Sequence, residues 1–238
     1  MFQFKQFTIH QENTAMKVTT DGCLFGAWVA HRLSQMGGKN LRILDVGAGT
    51  GLLSLMIVQQ CPDAKIDAIE LDPGSLQDCR DNFRNSPWPE RLNAIAGDIN
   101  EFTSIEPYDI IVSNPPFYEN ELESLDAGRQ LAHHGKGLIL DNLLSIIKKQ
   151  LTPGGRFYLL LPWKRNKEIK EMTGSHGLFI SSWLLARQTP AHDHFRILVE
   201  GRLSDPILSE FNEIVIKNEA GDYTEEFKKL LKEYYLYL

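Results

Sequence analysis

The chain has 238 residues, of which 42% are hydrophobic and 24% are charged, as is ordinary for one globular domain and short for two. A net charge of −6 argues against a protein that coats nucleic acid through a uniformly basic surface. Its apolar runs are far shorter than the roughly 20 residues that span a bilayer. The three widely spaced cysteines indicate neither a disulfide framework nor a zinc site, so we expect a cytoplasmic protein without a secretory signal, a membrane span or a bound metal.

Strand-like and helical segments alternate along most of the chain, after an extended stretch at residues 2–9 and a helix at Asp21–Gln35 capped by Thr20 or Asp21. The predicted strands are Leu41–Val46, Lys65–Leu71, Leu92–Ala96, Tyr108–Ser113 and Arg156–Leu161. The predicted helices are Thr50–Gln60, Pro73–Asn85 and Leu138–Gln150, and residues 152–155 (Thr-Pro-Gly-Gly) predict a turn. This alternation predicts a parallel, doubly wound sheet whose ligands bind beyond the carboxyl ends of its strands.

The alternation changes after Pro162. A helix at Lys164–Thr173 is followed by two successive strands, Phe179–Arg187 and Phe195–Leu203, which predict an antiparallel hairpin at the sheet edge, and then by a helix at Glu225–Tyr235. We therefore predict an α/β fold with a doubly wound, mostly parallel seven-stranded sheet and an antiparallel C-terminal hairpin. Residues 1–238 should form one domain, with an N-terminal extension and helix (1–38), a core (39–162) and the hairpin and last helix (163–238).

A glycine-rich stretch, Asp45-Val46-Gly47-Ala48-Gly49-Thr50-Gly51, follows the first parallel strand and leads into a helix. Its glycines allow a tight turn and let a ligand approach the backbone closely. Such a turn could also serve NAD or FAD, or be purely structural. Because Asp45 precedes the glycines, the stretch suits a cationic, amine-bearing ligand better than a pyrophosphate.

Two further acids stand at successive strand ends. Glu70 could accept two hydrogen bonds from a ribose diol, or it could simply form a turn. Asp98 could accept a bond from an adenine amino group while Ile99 covers the ring, or it could cap a short helix. Together with Asp45, these acids indicate an adenosine pocket.

The tetrapeptide Asn114-Pro115-Pro116-Phe117 follows the fourth strand. Two prolines remove two backbone donors and fix the direction of the chain, which leaves the carbonyl groups of Asn114 and Pro115 as acceptors. An amino group held by acceptors keeps its lone pair directed outward, toward a methyl donor. Phe117 offers a face on which a planar base can stack.

With these motifs the chain resembles the class I S-adenosylmethionine-dependent methyltransferases over about residues 21–161. The resemblance implies S-adenosylmethionine as cofactor, with its methionine moiety at the glycine loop, its ribose at Glu70 and its adenine at Asp98. The positions that match the family's loop are Asp45, Gly47, Gly49 and Gly51. In this family the Asn-Pro-Pro-Phe motif marks enzymes that methylate adenine N6, guanine N2 or a glutamine side-chain amide.

Two more stretches resemble one subgroup, the bacterial methyltransferases that act on N6 of the adenine beside the anticodon of valine tRNA (adenine 37). The first runs from Lys17 to Trp28 (Lys-Val-Thr-Thr-Asp-Gly-Cys-Leu-Phe-Gly-Ala-Trp), and the second from Arg129 to His134. The resemblance implies a tRNA substrate and a role for Lys17 and Thr20 in closing the cofactor pocket. It also suggests that Arg129 and His133 contact substrate, although the two histidines at 133 and 134 could equally be solvated loop residues.

Charge is unevenly distributed along the chain after the fourth predicted strand. Residues 163–202 contain seven Lys or Arg against four Asp or Glu, whereas residues 118–136 contain four acids and two cations. We therefore expect RNA to be held by the basic stretch rather than by the acidic loop, with contacts from Lys164, Arg165, Arg187 and Arg196. These side chains could alternatively be solvated helix and strand residues.

The expected reaction is an in-line displacement in which adenine N6 attacks the methyl group. Alignment is the enzyme's main task, and no general base or metal is needed. The alternatives are guanine N2 methylation in ribosomal RNA, glutamine N5 methylation in a protein, and a cofactor-binding regulator without activity. We expect a monomer.

Overall fold

The computed structural model describes residues 1–37, 40–115, 140–206 and 208–238. Near the N-terminus, strands β1 (Phe2–Gln3) and β2 (Thr8–Ile9) pair antiparallel. Helix α1 (Thr20–Gln35) follows. Its cap is Thr19 rather than the predicted Thr20 or Asp21, because Thr19 has extended backbone angles and its side chain accepts a hydrogen bond from the Gly22 N–H group.

The remaining elements alternate as predicted as far as the seventh strand. They are β3 (Arg42–Val46), α2 (Leu52–Gln60), β4 (Lys65–Glu70), α3 (Pro73–Arg84), β5 (Leu92–Ala96), β6 (Tyr108–Ser113), α4 (Leu140–Gln150) and β7 (Leu151–Pro162). The C-terminal elements are α5 (Asn166–Ser175), β8 (Phe179–Arg187), β9 (His194–Arg202), β10 (Glu210–Val215) and α6 (Glu225–Leu231). Short 3₁₀ turns precede β5 (Pro89–Arg91) and α5 (Trp163–Arg165).

The described strands β3 to β10 form one eight-stranded sheet in the order β10-β8-β9-β7-β6-β3-β4-β5. Among the described strands of this sheet, only the pairs β7–β9 and β8–β9 are antiparallel, so the predicted fold class and hairpin are confirmed. The sheet has one strand more than predicted. Because β10 adds to β8 in parallel, the hairpin lies inside the sheet and β10 forms its edge.

The predicted turn at residues 152–155 is wrong, because β7 runs through it. The pairing with β6 passes from Tyr108–Leu151 to Ile110–Arg156, so the extra residues of β7 form a bulge. A Cβ atom on Gly155 would lie 2.8 Å from the Asp109 carbonyl oxygen. The glycine here permits close contact between strands instead of a chain reversal.

Helices cover both faces of the sheet, and successive strand residues supply two separate cores. Ile43 belongs to the core beneath α1, α2, α3 and α6, whereas Leu44 belongs to the core beneath α4 and α5. Strands buried on both faces explain the continuous apolar runs from which the sequence predicted a parallel sheet.

Helix α1 runs in the same direction as α2, since Gly22 lies against Leu52 and Gly26 against Met56. The α1 N-terminus therefore reaches the edge of the sheet where the parallel strands have their carboxyl ends. Asp21 accepts a hydrogen bond at 2.7 Å from Arg196, which lies opposite Pro162 at that edge. The first turn of α1 is thus brought beside the strand ends where the sequence predicts ligand binding.

Candidate active site

The strand order reverses between β3 and β6. From β3 the chain adds β4 and then β5 on one side, and β6 then pairs with the other side of β3. In a parallel sheet this reversal opens a crevice beyond the carboxyl ends of the two strands. Asp45 lies near the end of β3, and Asn114 directly follows β6, so the two predicted site residues flank the crevice.

The three glycines of the loop after β3 all have positive φ, at 68° for Gly47, 56° for Gly49 and 79° for Gly51. Their surroundings differ. A Cβ atom on Gly47 or Gly49 would have no described residue within 4 Å other than its chain neighbours, whereas one on Gly51 would lie 2.4 Å from the Phe83 ring. Gly51 therefore lets α3 pack closely, and Gly47 and Gly49 leave open space next to the backbone, as ligand approach requires.

The Asp45 side chain is fully buried. Its Oδ2 accepts a hydrogen bond from the Ser54 hydroxyl at 2.7 Å, and its Oδ1 has no partner among the residues that the structure describes. Burial raises the pKa of Asp45 to about 7, the bonds from Ser54 oppose this shift, and the charge of Glu70 adds to it. Burial makes the charged form of the carboxyl group costly in free energy, and a cation at Oδ1 would offset that cost. The group therefore suits an amine-bearing ligand.

Glu70 connects the end of β4 with the glycine loop. Its Oε2 accepts a hydrogen bond from the Gly49 N–H group at 2.7 Å, and its Oε1 accepts one from the Asp72 N–H group at 2.8 Å. Each carboxylate oxygen has a second lone pair with which a hydroxyl could bond. The next side chain, Leu71, is 54% exposed. Leu71 was not among the predicted site residues, although its place directly after Glu70 in the sequence could have indicated that it lies beside the site.

Asp98 forms the turn after β5. Its Oδ1 accepts hydrogen bonds from the main-chain N–H group of Asn100 at 2.9 Å and from its side-chain amide at 2.7 Å. Asp98 therefore stabilises a turn and does not cap a short helix, which was the alternative structural role, and the adenine contact stays a prediction. Ile99 is 7% exposed and packs in the same core as Ile69.

Asn114 continues from β6, where Ser113 anchors the strand end through a 2.8 Å hydrogen bond from its hydroxyl to the Val46 carbonyl oxygen. The Asn114 Oδ1 atom is buried without a partner among the described residues. Pro115 is buried. Four predicted site residues lie outside the described residues, namely Pro116, Phe117, Arg129 and His133.

The two N-terminal candidates have different surroundings. The Lys17 ammonium group donates hydrogen bonds to the carbonyl oxygens of Thr14, at 2.8 Å, and Gln11, so it braces its own segment. Thr20 is half-buried in the first turn of α1, at the carboxyl edge of the sheet.

The four basic candidates all lie at this same edge. Lys164 and Arg165 follow β7, Arg187 ends β8, and Arg196 lies near the start of the antiparallel β9. Arg165 pairs with Glu168 at 2.6 Å, Arg187 with Glu213 at 3.1 Å and Arg196 with Asp21 at 2.7 Å. Their positive charge is therefore partly balanced within the protein.

An aromatic pair accompanies these cations, with the Trp163 and His194 rings 5.0 Å apart. Trp163 was not among the predicted site residues, because Trp163 and His194 are far apart along the chain and no sequence pattern indicates their contact.

The part of the chain that the structure describes has no group of three His, Cys, Asp or Glu side chains placed to hold a metal ion. Its cysteines, Cys23, Cys61 and Cys79, are buried free thiols. No helix among the described residues is both long and apolar enough to cross a bilayer.

Proteins similar in sequence cover the whole chain. A protein from Dyadobacter fermentans is 34% identical over 99% of this chain and 97% of its own length. One from Bacteroides thetaiotaomicron is 35% identical over 100% of this chain and 98% of its own length. One from Pseudoalteromonas translucida is 34% identical over 99% of this chain and 98% of its own length. All three are named tRNA1(Val) (adenine(37)-N6)-methyltransferase.

Solved structures with the same fold are more distant in sequence. The crystal structure of a predicted O-methyltransferase from Agrobacterium tumefaciens aligns with a TM-score of 0.66 and 18% identity, over 90% of this chain and 96% of that one. A putative RNA methyltransferase from Pyrococcus horikoshii aligns with a TM-score of 0.56 and 18% identity, over 84% of this chain and 89% of that one. At this identity the likeness concerns the fold alone.

A family profile described as the methyltransferase small domain matches residues 28–172, which include the glycine loop, Glu70, Asp98 and Asn114. This match covers more than half of the chain, and the relatives named above match nearly all of it. The chain therefore belongs to the methyltransferase small domain family and, within it, to the family of bacterial tRNA1(Val) (adenine(37)-N6)-methyltransferases.

Proposed function

We propose that the protein transfers a methyl group from S-adenosylmethionine to N6 of an adenine in tRNA, namely adenine 37 beside the anticodon of valine tRNA. The names of the full-length relatives support the substrate. The observation that carries the chemistry is a pair of buried oxygens without a partner among the described residues, Asp45 Oδ1 on β3 and Asn114 Oδ1 directly after β6, on the two sides of the crevice. Buried acceptors are rarely left without a donor, so each marks a place for a ligand N–H group.

The residues of the crevice fit S-adenosylmethionine, which supplies the methyl group when bound. Asp45 would hold the cationic amine of the methionine moiety beside the open space at Gly47 and Gly49. Glu70 would accept hydrogen bonds from the ribose hydroxyls. Asp98 and Ile99 would contact the adenine ring, and Lys17 and Thr20 would close the pocket from the N-terminal side.

Asn114 would orient the target amine. Its Oδ1, together with the Pro115 carbonyl group, would accept the two amino hydrogens, so that the nitrogen lone pair is directed along the line of transfer. The adenine amine is a poor base and loses its extra proton readily after transfer, so no side chain has to act as a general base. The target adenine would have to turn out of its stack in the tRNA to reach the site, and Phe117 would then stack on it. Pro116 would stiffen the loop.

We further propose that the protein acts as a single-domain monomer in the cytoplasm. It would contact the tRNA backbone through Lys164, Arg165, Arg187 and Arg196, with Arg129 and His133 nearer the base. The four described cations lie at the carboxyl edge of β7, β9 and β8, which continues directly from the crevice.

Asn114→Ala should lower kcat by about 100-fold or more, which corresponds to roughly 2.7 kcal/mol of transition-state stabilisation. Cofactor affinity, measured by calorimetry with S-adenosylhomocysteine, should stay within a few-fold. Asn114→Asp keeps an oxygen acceptor and should recover part of the turnover. Near-normal turnover in Asn114→Ala would contradict the orienting role.

Lys164→Glu should weaken tRNA binding and reduce the slope of log K against log salt concentration by about 0.7–0.9 for each phosphate group that the variant no longer neutralises. Lys149→Glu is the matched control, because Lys149 ends α4 at the opposite edge of the sheet. If both variants bind tRNA as the wild type does, Lys164 does not contact RNA.

Incubation of the protein with unmodified total tRNA and methyl-labelled S-adenosylmethionine tests the function directly. The label should appear as N6-methyladenosine, in valine tRNA, at position 37. Label found only as N2-methylguanosine or in protein would assign one of the alternative substrates. Absence of transfer despite cofactor binding would favour a regulator without activity.

A further inference from the structure

The segment of residues 10–18 is held against α3 by polar contacts of His10, Asn13 and Thr14. Among the α3 residues that meet it, Gly74, Asp78 and Asn82 are spaced four residues apart and so share a helix face. Asp78 and Asn82 are 3% and 1% exposed, unusually low values for these residue types.

Asp78 binds the middle of the segment. Its Oδ2 accepts hydrogen bonds from the main-chain N–H groups of Asn13 and Thr14, both at 2.9 Å, and its Oδ1 accepts one from the Asn13 side-chain amide at 2.7 Å. The Thr14 hydroxyl lies 3.0 Å from the Ser75 hydroxyl. These bonds hold the stretch that leads to Lys17 and to the first turn of α1.

Asn82 connects this segment with the glycine loop. Its Oδ1 accepts a hydrogen bond from the His10 N–H group at 2.7 Å, and its side-chain amide donates to the His10 carbonyl oxygen at 2.8 Å. The same amide donates to the carbonyl oxygen of Thr50 at 2.9 Å. Thr50 lies between Gly49 and Gly51, so one buried side chain holds two parts of the chain that are 40 residues apart in sequence.

Two glycines let these parts come together. A Cβ atom on Gly74 would lie 2.7 Å from the Asn13 carbonyl oxygen, so the segment rests directly on the helix backbone. On the loop side, Gly51 is in contact with Phe83 and Cys79 of α3. The position of the segment and the shape of the glycine loop are therefore both set by the same face of α3.

We propose that Asp78 and Asn82 are positioning residues for cofactor binding. They dock residues 10–18 on α3 and, through Thr50, fix the glycine loop, so that the cofactor pocket is complete only when the segment is docked. This inference rests on the proposed function. It adds that binding of the cofactor and docking of the N-terminal segment stabilise each other.

Two variants test the coupling by different routes. Asn82→Ala removes the connection between His10 and Thr50. Gly74→Ala leaves that connection in place and improves the helix propensity of α3, but its methyl group displaces Asn13. Ser181→Ala is the control for general destabilisation, because Ser181 is a buried, hydrogen-bonded residue that contacts Glu200 in a different part of the sheet.

Calorimetry with S-adenosylhomocysteine should show Kd raised about tenfold or more in Asn82→Ala and Gly74→Ala and unchanged in Ser181→Ala. With saturating cofactor, kcat on tRNA should stay within about threefold of the wild type, since the target amine is oriented by other residues. In the wild type, S-adenosylhomocysteine should slow hydrogen exchange of the amides at residues 10–18, which a purely structural role of the segment does not predict.

Kd values within about twofold of the wild type in both folded variants would overturn the inference. If Asn82→Ala does not fold, Gly74→Ala alone decides, since its substitution favours the helix. Failure of the wild type itself to bind S-adenosylhomocysteine would contradict the proposed function, and this inference with it. Binding by the wild type without slower exchange at residues 10–18 would contradict the inference alone.

Discussion

The buried carboxyl group of Asp45 is the constraint around which this edge of the sheet is arranged. It lies on the strand where the strand order reverses, one of its oxygens has no partner among the described residues, and burial raises its pKa to about 7. Ionising such a group costs free energy in the folded protein, and a cationic ligand bound beside it would offset that cost. The open space at Gly47 and Gly49 lies beside it in the chain, and Glu70 bonds to the same loop.

Three long-range contacts bring helix α1, strand β9 and the N-terminal segment to this edge of the sheet. The parallel packing of α1 on α2 carries Thr20 to the carboxyl edge, and the Asp21–Arg196 pair fixes it beside β9. Asn82 joins the N-terminal segment to the glycine loop. The crevice between β3 and β6 is therefore bordered by elements from both halves of the chain, and it lies next to the edge that carries Lys164, Arg165, Arg187 and Arg196.

The sequence predicted β5 and β6 with the observed bounds, because each is a short, largely apolar run between turn residues. Only β6 owes this pattern to burial on both faces, since β5 is the last strand of the sheet and none of its residues is fully buried. The strand β10 was not predicted, since of residues 210–215 only Ile214 is buried and an edge strand with one buried side chain has no clear alternation. The roles of Asp78 and Asn82 were also missed, because partners 32 to 72 residues away in sequence leave no periodic signal.

The variant Asp45→Asn tests whether the buried Asp45 carboxyl group, whose ionisation costs free energy in the free protein, serves to bind the cofactor. Since the pKa of Asp45 is raised in the folded state, its ionisation weakens the free protein as the pH rises from about 4 through 7. We expect the variant, without cofactor at pH 8, to have a free energy of unfolding higher than that of the wild type by roughly 2–4 kcal/mol, a difference that shrinks toward pH 4. We also expect a large loss of affinity for S-adenosylhomocysteine. A variant that is less stable at pH 8, or that binds the ligand as the wild type does, would rule out this role of Asp45.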